Sequence, residues 1–143
     1  MELRGRTING GNVESEAVVL EIPFNFTSDF DPETGALRIK GHPLYGKKIG
    51  NKILVIPAAK GAVTAAMTIY HAKKMGNAPV AILCRKADPI TVECAMVVDI
   101  PIMDSFDKDI VEVIKTGDHV KLFGEKGLIE IESSSKMYRG PFG

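Results

Sequence analysis

The sequence predicts an α/β domain with a parallel, helix-alternating centre and antiparallel flanks, on three observations. Ile53-Leu54-Val55-Ile56 and Pro79 to Cys84 are short continuous apolar runs, the pattern of strands buried on both faces. Each leads into a helical pattern, about Ala62 to Met75 and Pro89 to Val98, which is the alternation of a parallel βαβ sheet. His119 to Phe123 and the alternating Leu128-Ile129-Glu130-Ile131-Glu132 are joined by Gly124-Glu125-Lys126-Gly127 and read as an antiparallel hairpin.

At 143 residues the chain is expected to be a single compact domain with a proper core. A hydrophobic share of 45% excludes a disordered class, and 18 basic against 18 acidic residues give no electrostatic case for nucleic acid or an anionic membrane. No apolar run approaches the roughly 20 residues of a membrane-spanning helix. Met1 to Gly10 has no apolar core of a signal peptide, so a cytoplasmic location is expected. Cys84 and Cys94 have no metal-ligand spacing and sit in apolar runs, where small buried hydrophobes are expected. Asn25-Phe26-Thr27 matches a glycosylation pattern that means nothing without a secretory signal.

In order, Leu3 to Ile8 reads as a strand ended by the turn Asn9-Gly10-Gly11, and Ala17 to Ile22 as a second, stopped by Pro23. These two look like an antiparallel pair which, with the C-terminal hairpin, would make a separate small sheet or a barrel layer. Residues 23–50 carry no periodicity apart from the turn Asp31-Pro32-Glu33-Thr34-Gly35, and so long an irregular segment points to function or to a partner. After the central unit, Asp88 is an N-cap and Pro89 a first helical residue. Ile100 to Met103 is a short strand, and Asp104 or Ser105 caps a third helix over Asp107 to Lys115. The domain is drawn as residues 1–132, with 133–143 a polar tail.

The central unit is the candidate site. Pro57 ends the strand, Ala58-Ala59-Lys60-Gly61 forms a tight connection, and the following helix carries Val63, Ala66, Met67, Tyr70 and Lys74 on one stripe before stopping at Gly76. Free N–H groups and the positive helix end, with Lys60 beside them, make a seat for an anion; the other reading is a glycine that the turn simply needs. Neither a P-loop nor a dinucleotide fingerprint is present. Of the histidines, His71 reads as solvated and His119 as structural, while His42, in the irregular segment, is a candidate. Asp29 and Asp31 read as solvated turn residues, and Lys47-Lys48 and Lys73-Lys74 as solvated faces.

Taken in order, several landmarks resemble the small, swivelling subunit of the aconitase X family. They are Gly5-Arg6, Gly10-Gly11, Asp31-Pro32-Glu33-Thr34-Gly35 and His42-Pro43-Leu44-Tyr45-Gly46, then Lys52 to Pro57 with Lys60-Gly61. Ala78-Pro79, Asp88-Pro89-Ile90, Ile100-Pro101 and Thr116-Gly117-Asp118 complete the set, which spans residues 4–131. The resemblance implies a swivelling β/β/α domain, the small domain of an aconitase-like hydro-lyase. Such enzymes remove water from a small hydroxy acid, 5-phosphomevalonate in archaea and cis-3-hydroxyproline in bacteria. It also implies a large partner subunit whose cysteines hold an iron–sulfur centre that polarises the leaving hydroxyl, with no cofactor in this chain. The small subunit contributes the strand-to-helix loop, so Lys60, Gly61 and Val63 become expected substrate contacts, with His42 of the irregular segment kept as a further candidate contact.

One position departs from the family pattern. The residue after the loop glycine is a serine that acts as base in the family, and here it is Ala62; a second family serine is Ala66. Thr64 is the nearest hydroxyl, but in a helix beginning at Ala62 two positions turn it by about 200° away. The expected function is therefore a dehydratase small subunit, active only with its large partner. The alternatives are a regulatory or assembly subunit that has lost the chemistry, and an independent ligand-binding domain.

Overall fold

The computed structural model describes residues 1–60 and 64–134. Along the chain the strands are β1 (Glu2–Arg4), β2 (Arg6–Asn9), β3 (Asn12–Val19), β4 (Phe24–Asn25), β5 (Ile53–Ile56) and β6 (Ala59–Lys60). Helix α1 (Ala65–Lys74), β7 (Ala81–Cys84), α2 (Pro89–Val98), β8 (Ile102–Asp104), α3 (Ile110–Val113), β9 (His119–Phe123) and β10 (Leu128–Glu132) follow.

Strand β5 is apolar at every position, and all four of its side chains are buried. Alternate residues leave a strand on opposite faces. Ile53 and Val55 thus join one core with Leu3, Val120, Leu122 and Ile129. Leu54 and Ile56 join another with Phe24, Ile69 and Cys94. A sheet apolar on both faces needs cover on both: α1 and α2 supply one side, α3 and the antiparallel strands the other.

Strand β3 links the two halves. Asn12 to Glu16 pair antiparallel with β9, and Ala17 to Val19 pair parallel with β5. From β5 the sheet runs in parallel to β7 and β8 and ends on antiparallel β2. From β9 it runs through β10 to β1. The order is β1-β10-β9-β3-β5-β7-β8-β2, and its two edges are consecutive pieces of one chain, parted only by Gly5. Gly5 donates its N–H to Gly127 (3.0 Å), and a Cβ there would lie 2.6 Å from the Phe106 ring and 2.9 Å from the Asp104 carbonyl. Only glycine fits this junction. The sheet therefore bends round like a barrel, as the swivelling β/β/α expectation requires.

Several elements differ from the sequence expectation. The first strand is two, because each half of Leu3 to Ile8 finds a different partner. β3 starts at Asn12 and ends at Val19 rather than running from Ala17 to Ile22. The first and second expected strands do not pair with each other, and the antiparallel layer is not separate from the parallel one. The third helix is one turn, capped by Asp109, whose carboxylate accepts the Val111 N–H; Asp104 is used elsewhere. On α1 the buried residues are Ala65, Ile69 and Ala72, one step round from the expected stripe. Met67 and Tyr70 are 72% and 48% exposed. Residues 23–50, irregular as expected, contribute to the core of this chain: Phe24, Phe26 and Phe30 are fully buried, and the Phe24 and Phe26 rings meet edge to face at 4.9 Å. Asp29 and Asp31 are held in local turns, accepting from Asn25 N and Glu33 N, and Lys47 pairs with Glu16 at 3.2 Å. Of the tail, Ser134 N donates to Asp118 at 3.0 Å, and 135–143 lie outside the described residues. No helix among the described residues is long and apolar enough to cross a membrane.

The wholly buried Asp104 carboxylate takes Arg6 Nε and Nη2, both at 2.8 Å, and the Ala87 N–H at 2.7 Å. Burial pushes this carboxyl up, but the Arg6 hydrogen bond and charge and the Ala87 N–H outweigh it and hold it below the ordinary range. Arg85 lowers Asp109, the His119 ring lowers Glu14, and Lys52 lowers Glu16. A carboxyl that binds protons more weakly in the folded state stabilises the fold above its ordinary value and loses that effect as pH falls. Melting temperature should thus hold from neutral pH to about 5 and drop below about pH 4. Asp104→Asn should lower it at pH 7 and shrink the acid-dependent loss; melts from pH 7 to 3 that show an unchanged acid limb would contradict this.

Candidate functional site

The parallel strands β3, β5, β7 and β8 all end at one edge, where open α/β sheets place their ligand sites. The loop after β5 lies there and is held from two sides. Ala58 accepts the Phe24 N–H at 3.0 Å, and β6 pairs in parallel with β4, setting Lys60 opposite Asn25. On the far side the Ala59 N–H donates to Asp88 Oδ2 at 2.9 Å. Behind it, Arg85 N reaches the Pro57 carbonyl at 3.3 Å. The backbone up to Lys60 is thus anchored while the Lys60 side chain is exposed.

Helix α1 begins at Ala65 with Thr64 as N-cap; Thr64 makes no side-chain cap bond, and the first turn holds no acidic residue. The positive end of this helix is therefore not neutralised by its own side chains. The Thr64 hydroxyl lies 3.1 Å from that of Thr27. Thr27 is presented by a turn in which Asn25 Oδ1 accepts the N–H groups of Thr27 (2.8 Å) and Ser28 (3.2 Å). The Asn25 side chain that matched a glycosylation pattern is a turn former, the Asx signal that could have marked this site.

Gly61, Ala62 and Val63 lie outside the described residues, while Lys60 and Thr64 bracket them. α1 is described from Ala65 with Thr64 as its N-cap, and the expected rotation of Thr64 away from Ala62 involves a residue outside the described ones. His42 is placed elsewhere on the edge, its side chain 9% exposed. Its Nδ1 accepts the Leu44 N–H at 3.0 Å, which leaves the proton on Nε2 to donate to Glu21 Oε1 at 2.9 Å. Both ring nitrogens are engaged. His71 is exposed, 3.7 Å from Glu33, and His119 pairs with Glu14 at 2.8 Å, as a solvated and a structural histidine should.

Asp88 caps α2 as its sequence context predicts, with Oδ1 accepting the Thr91 N–H at 2.8 Å. Its hold on Ala59 had no sequence signal, since the partners are 29 positions apart.

For a metal the donor set is poor. No group of three or more His, Cys, Asp or Glu that could hold an ion exists among the described residues. Cys84 and Cys94 are free and buried. Burial pushes both thiols up to about 12, so at neutral pH they are held in the protonated form, which is not nucleophilic. An iron–sulfur centre does not fit these residues.

The geometry has close counterparts. The family model of the aconitase X swivel domain matches residues 2–131. The phosphomevalonate dehydratase small subunit of Methanosarcina acetivorans is 38% identical over 92% of this chain and 91% of its own length. That of Methanocella arvoryzae is 37% identical over 92% of this chain and 99% of its own. The crystal structure of Thermococcus kodakaraensis aconitase X in its holo-form superposes with a TM-score of 0.85 at 37% identity, covering 93% of this chain and 99% of that one.

The thiol environment is directly testable. In the native protein a disulfide reagent at neutral pH should titrate neither cysteine quickly, and both should react once denaturant is added; one fast native thiol would contradict their burial.

Proposed function

The chain belongs to the aconitase X family, as its swivel domain, and we propose that it is the small subunit of a phosphomevalonate dehydratase. The observation that carries this is its likeness, over nearly its whole length, to small subunits named for that activity. A phosphorylated hydroxy acid also suits the physics of the sheet edge. Lys60 lies four positions before Thr64, the N-cap of a helix whose first turn carries no acidic side chain, and a helix N-terminus favours a phosphate or carboxylate. Lys60 and the backbone N–H groups of Gly61, Ala62 and Val63 would hold the anion.

Elimination of water breaks a C–O bond and removes a proton from the neighbouring carbon, so some group must take that proton. A methyl group at Ala62 cannot. Thr64 shares its hydroxyl with Thr27 and remains the candidate from this chain, though a neutral hydroxyl needs a base of its own to act. The large subunit is the other source of a base, and an iron–sulfur centre, if the complex uses one, would reside there. Activity then belongs to the complex, in an aqueous compartment such as the cytoplasm. His42, bonded to Glu21, would shape the edge rather than move a proton. The second reading, a regulatory or assembly subunit, is favoured by Ala62 alone.

Two substitutions test these readings in the co-expressed complex. Lys60→Ala should weaken phosphomevalonate binding roughly ten- to a hundredfold with little change in melting temperature, because the side chain is exposed. Unchanged KM would leave the loop as only a turn.

Ala62→Ser separates the readings about catalysis. A general base is worth about 10²–10⁴-fold in rate. If this chain is a decayed serine enzyme, the added hydroxyl should raise dehydration markedly. If the unaltered complex is already fast and the serine leaves it unchanged or slower, the base lies elsewhere and the regulatory reading fails.

A further inference from the structure

An N-cap needs one side-chain oxygen, and Asp88 uses both. Oδ1 accepts the Thr91 N–H, which is the cap. Oδ2 accepts the Thr91 hydroxyl at 2.8 Å and the Ala59 N–H at 2.9 Å. Thr91 is fully buried, so its hydroxyl has to find a partner inside, and in doing so it sets the direction of the second oxygen. That oxygen points at the amide just before Lys60.

The residue carrying this carboxylate is itself fixed. Ala87 donates to Asp104, which Arg6 grips with two bonds. Ser105 N reaches the Arg85 carbonyl at 3.0 Å, tying the start of the same turn to the end of β8. Opposite it, β6 has two residues, and its other support is the equally short β4. The turn between β7 and α2 is thus tied to Asp104 and to the end of β8, and the two-residue β6 meets it through Ala59.

We propose that Asp88 is a positioning residue for the ligand loop, capping α2 with one oxygen while its other fixes Ala59 and so sets the place of the adjoining Lys60. This rests on the reading that Lys60 contacts an anionic substrate. It also carries a sign that separates position from charge. Asp88 is negative, so its field alone opposes an anion at Lys60, and neutralising it would tighten binding if charge were all that mattered.

Asp88→Asn isolates the second oxygen. Asparagine caps a helix as well as aspartate does, but with its one oxygen engaged in the cap, the NH2 that replaces Oδ2 is a donor and cannot accept the Ala59 N–H. Asp88→Ser is the second variant, a good cap with an arm too short to reach Ala59. In the co-expressed complex both variants should lower kcat/KM for phosphomevalonate roughly ten- to a hundredfold, since a small misplacement of a binding group is costly. The loss should appear mainly in KM. In the Lys60→Ala background Asp88→Asn should add little, because it acts through Lys60. Amide exchange at Ala59 should speed up in both variants without substrate present. A lowered kcat/KM with non-additivity and faster exchange supports the proposal. Tighter or unchanged binding in Asp88→Asn, full additivity with Lys60→Ala, or unaltered exchange at Ala59 overturns it. If Lys60→Ala itself leaves KM unchanged, the substrate reading falls and the ligand role of Asp88 falls with it, while the exchange result still reports the tether.

Discussion

One strand holds this molecule together. β3 spends its first five residues on an antiparallel partner, β9, and its last three on a parallel one, β5. A strand has only two edges, so this division decides what every other strand can pair with. The hairpin β9–β10 must extend away on one side and the βαβ units on the other. The two ends of the sheet then come round to β1 and β2, which are one stretch of chain. Gly5 lets that stretch serve both ends, because no side chain fits between Phe106 and Asp104. The edges left, β1 and β2, are three and four residues long, so among the described residues this sheet has no long edge open for pairing with another chain.

The direction of the parallel strands then decides where chemistry can sit. The two βαβ crossovers place α1 and α2 over the same core, so both helix N-termini face the edge where β5, β7 and β8 end. Two carboxylates organise that edge through backbone and side-chain bonds. Asp104 is saturated by Arg6 and Ala87, and Asp88 by Thr91 and Ala59. Both are tied up in backbone geometry, which leaves Lys60 and the end of α1 as the positive features of the loop.

This arrangement suits a subunit that binds and orients while another supplies reactive groups. The thiols are buried and protonated, His42 is engaged at both nitrogens, and the position of the family's serine is a methyl group. What remains is a rigid post, a short anchored strand and an exposed cation. Apart from the paired hydroxyls of Thr27 and Thr64, these features suit holding an anion better than moving a proton.

Local patterns were enough for several elements. The unbroken apolar run of β5, the Asp88-Pro89 start of α2, and β9 and β10 on either side of Gly124 to Gly127 all stand where the sequence placed them. Each depends on neighbours within a few positions, and Gly76 takes the positive φ that a helix stop needs. The resemblance to the aconitase X swivel domain was likewise carried by ordered short motifs. Tertiary structure decided whatever depended on a distant partner. Periodicity made α1 a helix but did not choose between two stripes one step apart, and burial of Ile69 rather than Met67 was settled by the core beneath. Leu3 to Ile8 reads as one strand because each half is strand-like, and only the opposite ends of the sheet divide it. Asp104 looks like a cap until Arg6, 98 positions away, claims it. The Asp88 bond to Ala59 is of the same kind, since an aspartate's second oxygen leaves no trace in its local sequence.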